Sequence, residues 1–328
     1  MLFILFSFML TDASRRGYFP MMRSAITIVF LSLMLAGCLA SGQTRSGAQV
    51  GLSPEEIARQ NREAEAAEEL DRAMGLFHDG EFLDDETALA HLDKAVEMDP
   101  TLLAARQQRA ILLQERGRSD EALADADYIL IERPENVRAR FTKGLILYQR
   151  GDYPAAVREF SRALELDRTL SEAYALRGSA YSQMERYDDA VHDFTEAIAF
   201  NPANARAYYN RGMAHMRMEA NERALHDFTQ ALSLRSQSLD ILLARGTVAM
   251  RLRLVERAAT DFKRAAALDP DDGRLFAMLG EAYAAGERYA MALVAARKAM
   301  TLLKAEGDED GVAALEDQIS RYEAATER

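Results

Sequence analysis

The chain has 328 residues, 49% of them hydrophobic and 28% charged, with a formal charge of −12. That apolar share is ordinary for a folded protein, while the acidic balance and the lack of a Lys/Arg block argue against nucleic acid, which demands a basic footprint. A single cysteine, Cys38, excludes an internal disulfide and a cysteine-based zinc site.

Residues 1–37 read as targeting sequence. Arg23 supplies a positive start, and Ala25 to Ala36 is a 12-residue apolar run, right for a signal core and short for a membrane span. Leu35-Ala36-Gly37-Cys38 follows directly and resembles the bacterial lipobox, in which the cysteine is lipidated and becomes the mature N-terminus. The resemblance implies a lipoprotein anchored at Cys38 on the periplasmic side of a bacterial membrane. By resemblance to enterobacterial lipoprotein sorting, Leu39, not being Asp, implies the outer membrane. Met21 or Met22 is then the natural start. Residues 38–53, rich in Gly, Ser and Gln, form a flexible tether.

Ser53-Pro54-Glu55-Glu56 opens a helix, with Ser as N-cap, Pro at the first position and Glu at the third. It is expected to run to about His78. Asp84-Asp85-Glu86 precedes the next helix. It lacks the alternating ligands and Gly of a calcium loop, so it is read as helix N-terminal charge.

From here the chain repeats itself. Gly144, Gly178, Gly212, Gly246 and Gly280 stand 34 residues apart, as do Ala156, Ala190, Ala224, Ala258 and Ala292. Phe160, Phe194, Phe228 and Phe262 keep the same step, which marks a repeat array. Within one copy, Tyr174, Gly178 and Tyr181 share one helical stripe. Ala190, Phe194 and Ala197 share a second, after a break near Glu185-Arg186-Tyr187. Asp99-Pro100, Arg133-Pro134, Asn201-Pro202 and Asp269-Pro270 stop second helices, because proline restricts the residue before it. Residues 54–306 hold seven units: 66–102, 103–136, 137–170, 171–204, 205–238, 239–272 and 273–306. In residues 307–328, Val312, Leu315, Ile319 and Tyr322 share a stripe that suits a C-terminal capping helix.

Tyr174, Gly178, Tyr181, Ala190, Phe194, Ala197 and Pro202 fall in the pattern of the tetratricopeptide repeat, which this stretch resembles. The resemblance implies an all-α, right-handed α-solenoid of helix–turn–helix units. It also implies that the first helix of each unit lines a concave groove through its second, fifth, ninth, twelfth and thirteenth positions. Carried over, the groove residues expected to hold a peptide are Phe141, Tyr148, Arg206, Tyr209, Met213, Met216, Arg217, Met250 and Arg251. Methionine gives an adaptable apolar surface, and Tyr and Arg are frequent interface anchors. The basic groups stand out in an acidic protein and suit a peptide bearing a carboxylate.

Alignment of the copies with one another exposes a charge pattern. A base precedes each small residue (Arg109, Lys143, Arg177, Arg211, Arg245), and an acid follows sixteen residues on (Asp125, Glu159, Asp193, Asp227, Asp261). In the last unit both change together, to Leu279 and Ala295, so the two positions are expected to face each other.

No catalytic motif, metal site or cofactor fingerprint is present. The five histidines lack helical metal spacing, and His192 and His226 merely occupy equivalent positions. The expected function is that of a scaffold or adaptor holding protein or peptide partners, in cell-envelope assembly or maintenance. A pilus- or secretion-assembly subunit is an alternative within that class, and an enzyme with its site in the groove is one outside it.

Overall fold

The computed structural model describes residues 53–78 and 81–327. The expectations for residues 1–52, Cys38 among them, lie outside these. The repeats belong to the compact unit Ala58–Arg328.

Fifteen helices follow one another among the described residues. Helix α1 (Pro54–Gly75) opens with the expected box: Ser53 N–H donates to Glu56 at 2.7 Å, and Glu56 N–H donates to the Ser53 hydroxyl at 3.2 Å. It ends three residues before His78, which corrects the expected boundary. Leu76 N–H turns back to Ala73 O, and a short antiparallel pair follows, β1 (Phe77–His78) with β2 (Glu81–Phe82). The edge contact of Phe77 with Phe82, 5.0 Å between ring centres, favours this hairpin over further helix. Among the described residues it is the one departure from all-α structure. Helix α2 (Asp85–Met98) is capped by Asp84, which accepts from Thr87 N–H at 3.1 Å, with Asp85 and Glu86 in the first turn.

Paired helices then succeed one another: α3 (Leu103–Glu115) with α4 (Ser119–Glu132), α5 (Val137–Gln149) with α6 (Tyr153–Leu166), α7 (Ser171–Gln183) with α8 (Tyr187–Phe200). They continue as α9 (Ala205–Arg217) with α10 (Asn221–Leu234), α11 (Leu239–Arg251) with α12 (Val255–Leu268), and α13 (Gly273–Ala285) with α14 (Tyr289–Glu306). Helix α15 (Glu309–Thr326) packs on α14 and buries Leu315 and Tyr322.

Close approach within each pair explains the periodic small residues. A Cβ on Gly144, Gly212 or Gly246 would stand 2.8, 2.7 or 2.5 Å from the ring of Phe160, Phe228 or Phe262. At Gly178 it would meet Phe194 at 3.1 Å and the Ala190 carbonyl at 3.2 Å. From the second unit on, the pair is closed by a left-handed turn residue at one position of each copy. Gly117 and Gly151 fill it first, then Glu185, Glu219, Arg253 and Glu287 with φ near 60°.

The stack has an inside. First helices of successive units touch directly, α3 with α5, α5 with α7, α7 with α9 and α9 with α11. No pair of second helices comes as close among the described residues. The array therefore bends toward its first helices, as the resemblance implied.

Candidate functional site

Along that inner face the nine groove residues divide by burial. Arg206, Arg217 and Arg251 are exposed, and Phe141, Tyr148, Tyr209, Met213, Met216 and Met250 are half-buried. The apolar six lean on the core beneath. Phe141 and Tyr209 tilt over Phe160 and Phe228, each at 5.8 Å between ring centres. Met213 and Met216 pack against the cluster of Ala224, Phe228 and Leu242, and Met250 against that of Phe262 and Tyr283. Each serves the fold with one side and leaves another to solvent. Burial raises the phenols of Tyr148 and Tyr209 above their ordinary value, so both stay neutral donors.

The three arginines make no ion pair with a described residue. Most other arginines here are paired, so these guanidiniums remain available to an anion. Glu172 and Asp240 lie exposed on the same face, so its charge is mixed.

A polar link joins two first helices on the inner face. Asn210 on α9 donates to the Ser179 hydroxyl on α7 at 3.5 Å, and that hydroxyl donates to Ala175 O at 2.9 Å. Sequence reasoning missed it, because its step is 31 residues and falls off the repeat period.

Behind the groove the expected ion pairs all form. Arg109, Arg177, Arg211 and Arg245 each grip Asp125, Asp193, Asp227 and Asp261 with two N–H groups at 2.7–3.0 Å. The four aspartates are buried. Lys143 meets Glu159 at 3.6 Å, and Arg140 supports that carboxylate at 3.2 Å. Where Leu279 and Ala295 replace the pair, both are buried in an apolar cluster with Tyr322 of α15.

Each base also reaches back to the preceding unit. Arg109 donates to Asp93 at 2.9 Å, Lys143 to Asp127 at 2.7 Å, Arg177 to Ser161 at 2.9 Å and Arg211 to Thr195 at 3.0 Å. One cation thus ties two repeats. The first unit uses another device: Arg72, His91 and Lys94 converge on buried Glu69 at 2.5–2.6 Å. The Lys94 and His91 hydrogen bonds lead in holding that carboxyl down at about 2.

Of the histidines, His215 alone is buried. Its Nδ1 has no partner, and its Nε2 lies 3.8 Å from Asp227. Burial depresses its pKa.

Comparison with known proteins gives the following. Family models described as tetratricopeptide repeat match residues 108–170, 243–302 and 205–238, and one described as TPR repeat matches 178–219. No curated protein matches. Among solved structures, YrrB, described as a TPR protein with an unusual peptide-binding site, is 21% identical with a TM-score of 0.53, over 58% of this chain and 97% of that one. PilF of Pseudomonas aeruginosa is 16% identical with a TM-score of 0.55, over 66% of this chain and 97% of that one. A tetratricopeptide repeat protein from Parabacteroides merdae is 16% identical with a TM-score of 0.52, over 79% of this chain and 99% of that one. At these identities the likeness to solved structures is one of fold alone. The family matches, the strict period and the paired helices agree, and the chain belongs to the tetratricopeptide repeat family.

Proposed function

We propose that this chain is an adaptor, lipid-anchored through Cys38 on the periplasmic side of a bacterial membrane, that holds partner proteins in its inner groove during envelope assembly or maintenance. One observation carries the binding half. Exposed, unpaired Arg206, Arg217 and Arg251 stand beside half-buried Tyr209, Met213, Met216 and Met250. An apolar floor edged by free guanidiniums is the make-up of an interface anchor. The anchoring half rests on Leu35-Ala36-Gly37-Cys38 after an apolar run.

Crosslinking and mass spectrometry on membranes tests the binding half, with wild type set against Tyr209→Ala/Arg217→Ala. The adaptor reading expects stoichiometric partners that the double variant loses. Partners unchanged by it would move the site elsewhere. Cys38→Ser tests the anchor: it is expected to release the protein from membranes or to block its maturation.

A further inference from the structure

Two clefts recur at the repeat step and differ in one buried group. The first, of about 310 Å³, is lined by Arg211, His215, Glu222, Arg223, His226 and Asp227 of α9 and α10. The second, of about 410 Å³, is lined by Thr229, Arg245, Glu256, Arg257, Thr260 and Asp261. Arg211, Glu222, Arg223 and Asp227 answer to Arg245, Glu256, Arg257 and Asp261, each 34 residues on. His226 answers to Thr260, and both are exposed. His215 is 6% exposed, and its counterpart is buried Ala249.

Three features single out His215. The first is the charge around it. Its Nε2 lies 3.8 Å from Asp227, whose two oxygens already accept from Arg211 at 3.0 and 2.8 Å, and its Nδ1 is buried without a partner. Arg211 stands one turn earlier on α9, and Arg223, Glu222 and His226 face the cleft from α10. Helices α7, α8 and α11, which also touch α9, put no charged group into that lining. A charged imidazole there meets two guanidiniums and a carboxylate that is already engaged. It must draw Asp227 away from Arg211 or move out to water. The second feature is the reach of Arg211. Its remaining N–H group donates to the Thr195 hydroxyl of the preceding unit at 3.0 Å. The pair that His215 contests is thus also the polar tie between the fourth and fifth units. The third is the next junction, where Arg245 grips Asp261 and reaches Thr229 at 3.4 Å with no imidazole beside it.

We propose that His215 is an acid-sensitive latch: protonation of its ring loosens the junction between the fourth and fifth units, while the junction between the fifth and sixth stays closed. Burial does most to depress the folded-state value, Asp227 pulls the other way, and Arg211 and Arg223 lower it further. An opened junction returns the ring to water and to its ordinary value of 6.5, so the open form binds the proton more readily. The closed form is therefore favoured above that value and loses ground as pH falls below it, by at most about thirtyfold at pH 5. Helix α9 also carries Arg206, Tyr209, Met213, Met216 and Arg217, so the latch sets how firmly that part of the groove is held. This consequence rests on the adaptor reading, and the latch itself does not.

The test places spin labels on the full-length chain at Ala199, Ser233 and Ala267, exposed small residues at matching positions of α8, α10 and α12. Ala199→Cys/Ser233→Cys spans the junction of the fourth and fifth units, and Ser233→Cys/Ala267→Cys spans the next. Cys38→Ser in both leaves only the new thiols to label. Distances are read by double electron–electron resonance at pH 8 and pH 5, with circular dichroism following helix content. The first pair is expected to gain a longer, broader population at pH 5, several-fold above its share at pH 8, and the second pair is not. His215→Tyr and His215→Ala, which bring in the residues of Tyr283 and Ala249, are each expected to remove the change. An unchanged first pair, an equal change in both pairs, or a change that survives both substitutions overturns the latch. So does a loss of helix at pH 5 that both substitutions leave in place. An array that opens at pH 5 yet crosslinks to no partner on membranes keeps the latch and fails the adaptor reading.

Discussion

Asp227 is 2% exposed, so its charge is tolerable only while Arg211 answers it with bonds at 3.0 and 2.8 Å. Leaving one member of such a pair alone costs about 3–5 kcal/mol, more than replacing both by apolar residues. The chain has made that double replacement itself at Leu279 and Ala295, where both side chains are buried among apolar neighbours. Asp227→Leu alone is therefore expected to lower stability by about 3–5 kcal/mol. Arg211→Met/Asp227→Leu should cost clearly less than the sum of its parts, a coupling of about 1–3 kcal/mol in urea melts. Beside the same pair, His215 contributes a pH dependence. Burial lowers its pKa, against the pull of Asp227, and the Arg211 and Arg223 charges lower it further. The folded state thus favours the neutral ring. Its contribution is present above the ordinary value of 6.5 and is lost as pH falls below it. His215→Tyr, which restores the residue of Tyr181 and Tyr283, is expected to flatten that slope in melts between pH 8 and pH 5. An unchanged slope would place the titrating group elsewhere.

At the scale of the helical hairpin, the sequence period reveals what touches and conceals how the chain turns. Gly246 and Phe262 were legible because small and aromatic residues recur at one step. The left-handed turn was not, because Glu185, Glu219, Arg253 and Glu287 give no glycine signal where Gly117 and Gly151 do. The end of α1 at Gly75 also escaped the periodic reading, since the hairpin that replaces its last turn occurs once. In the candidate site, the inward positions followed from the resemblance, but the link of Ser179 with Asn210 stands out only when neighbouring helices are brought together. The backward links were hidden for a different reason: their partners pass from Asp93 and Asp127 to Ser161, Thr195 and Thr229, so no constant charge marks the position. Two glycines of one periodic set are expected to behave differently. Alanine gains about 1 kcal/mol of helix propensity at either site. At Gly246 its Cβ would lie 2.5 Å from a buried ring, and overpacking of that kind costs about 1–3 kcal/mol. At Gly280 the nearest atom is the Ala292 carbonyl oxygen at 3.3 Å, and a small shift suffices. Gly246→Ala should lower the melting temperature while Gly280→Ala leaves it level or raises it. Equal losses would mean that the hairpins differ less than their contacts indicate.

Over the whole array, stability passes from neighbour to neighbour, because each repeat touches little beyond the next. The cations that bond both their own unit and the one before, such as Arg177 with Asp193 and Ser161, make that coupling polar as well as apolar. At the C-terminal end it changes character. Leu279 and Ala295 have given up the pair, and α15 covers them, with Leu315 and Tyr322 packed into the cluster that holds Tyr283 and Leu303. The last repeat therefore depends on its cap for burial that other repeats draw from a successor. Truncating both cap side chains in Leu315→Ala/Tyr322→Ala should cost several kcal/mol locally, at about 2–5 for each buried large-to-alanine change. In a chain with one shared core that loss would speed exchange everywhere. Here amide hydrogen exchange is expected to quicken in α13 and α14, to change less in α11 and α12, and to stay the same in α3 to α6. Uniform quickening across all repeats would show a single cooperative body and would remove the nearest-neighbour account on which the separate roles of cleft, groove and cap depend.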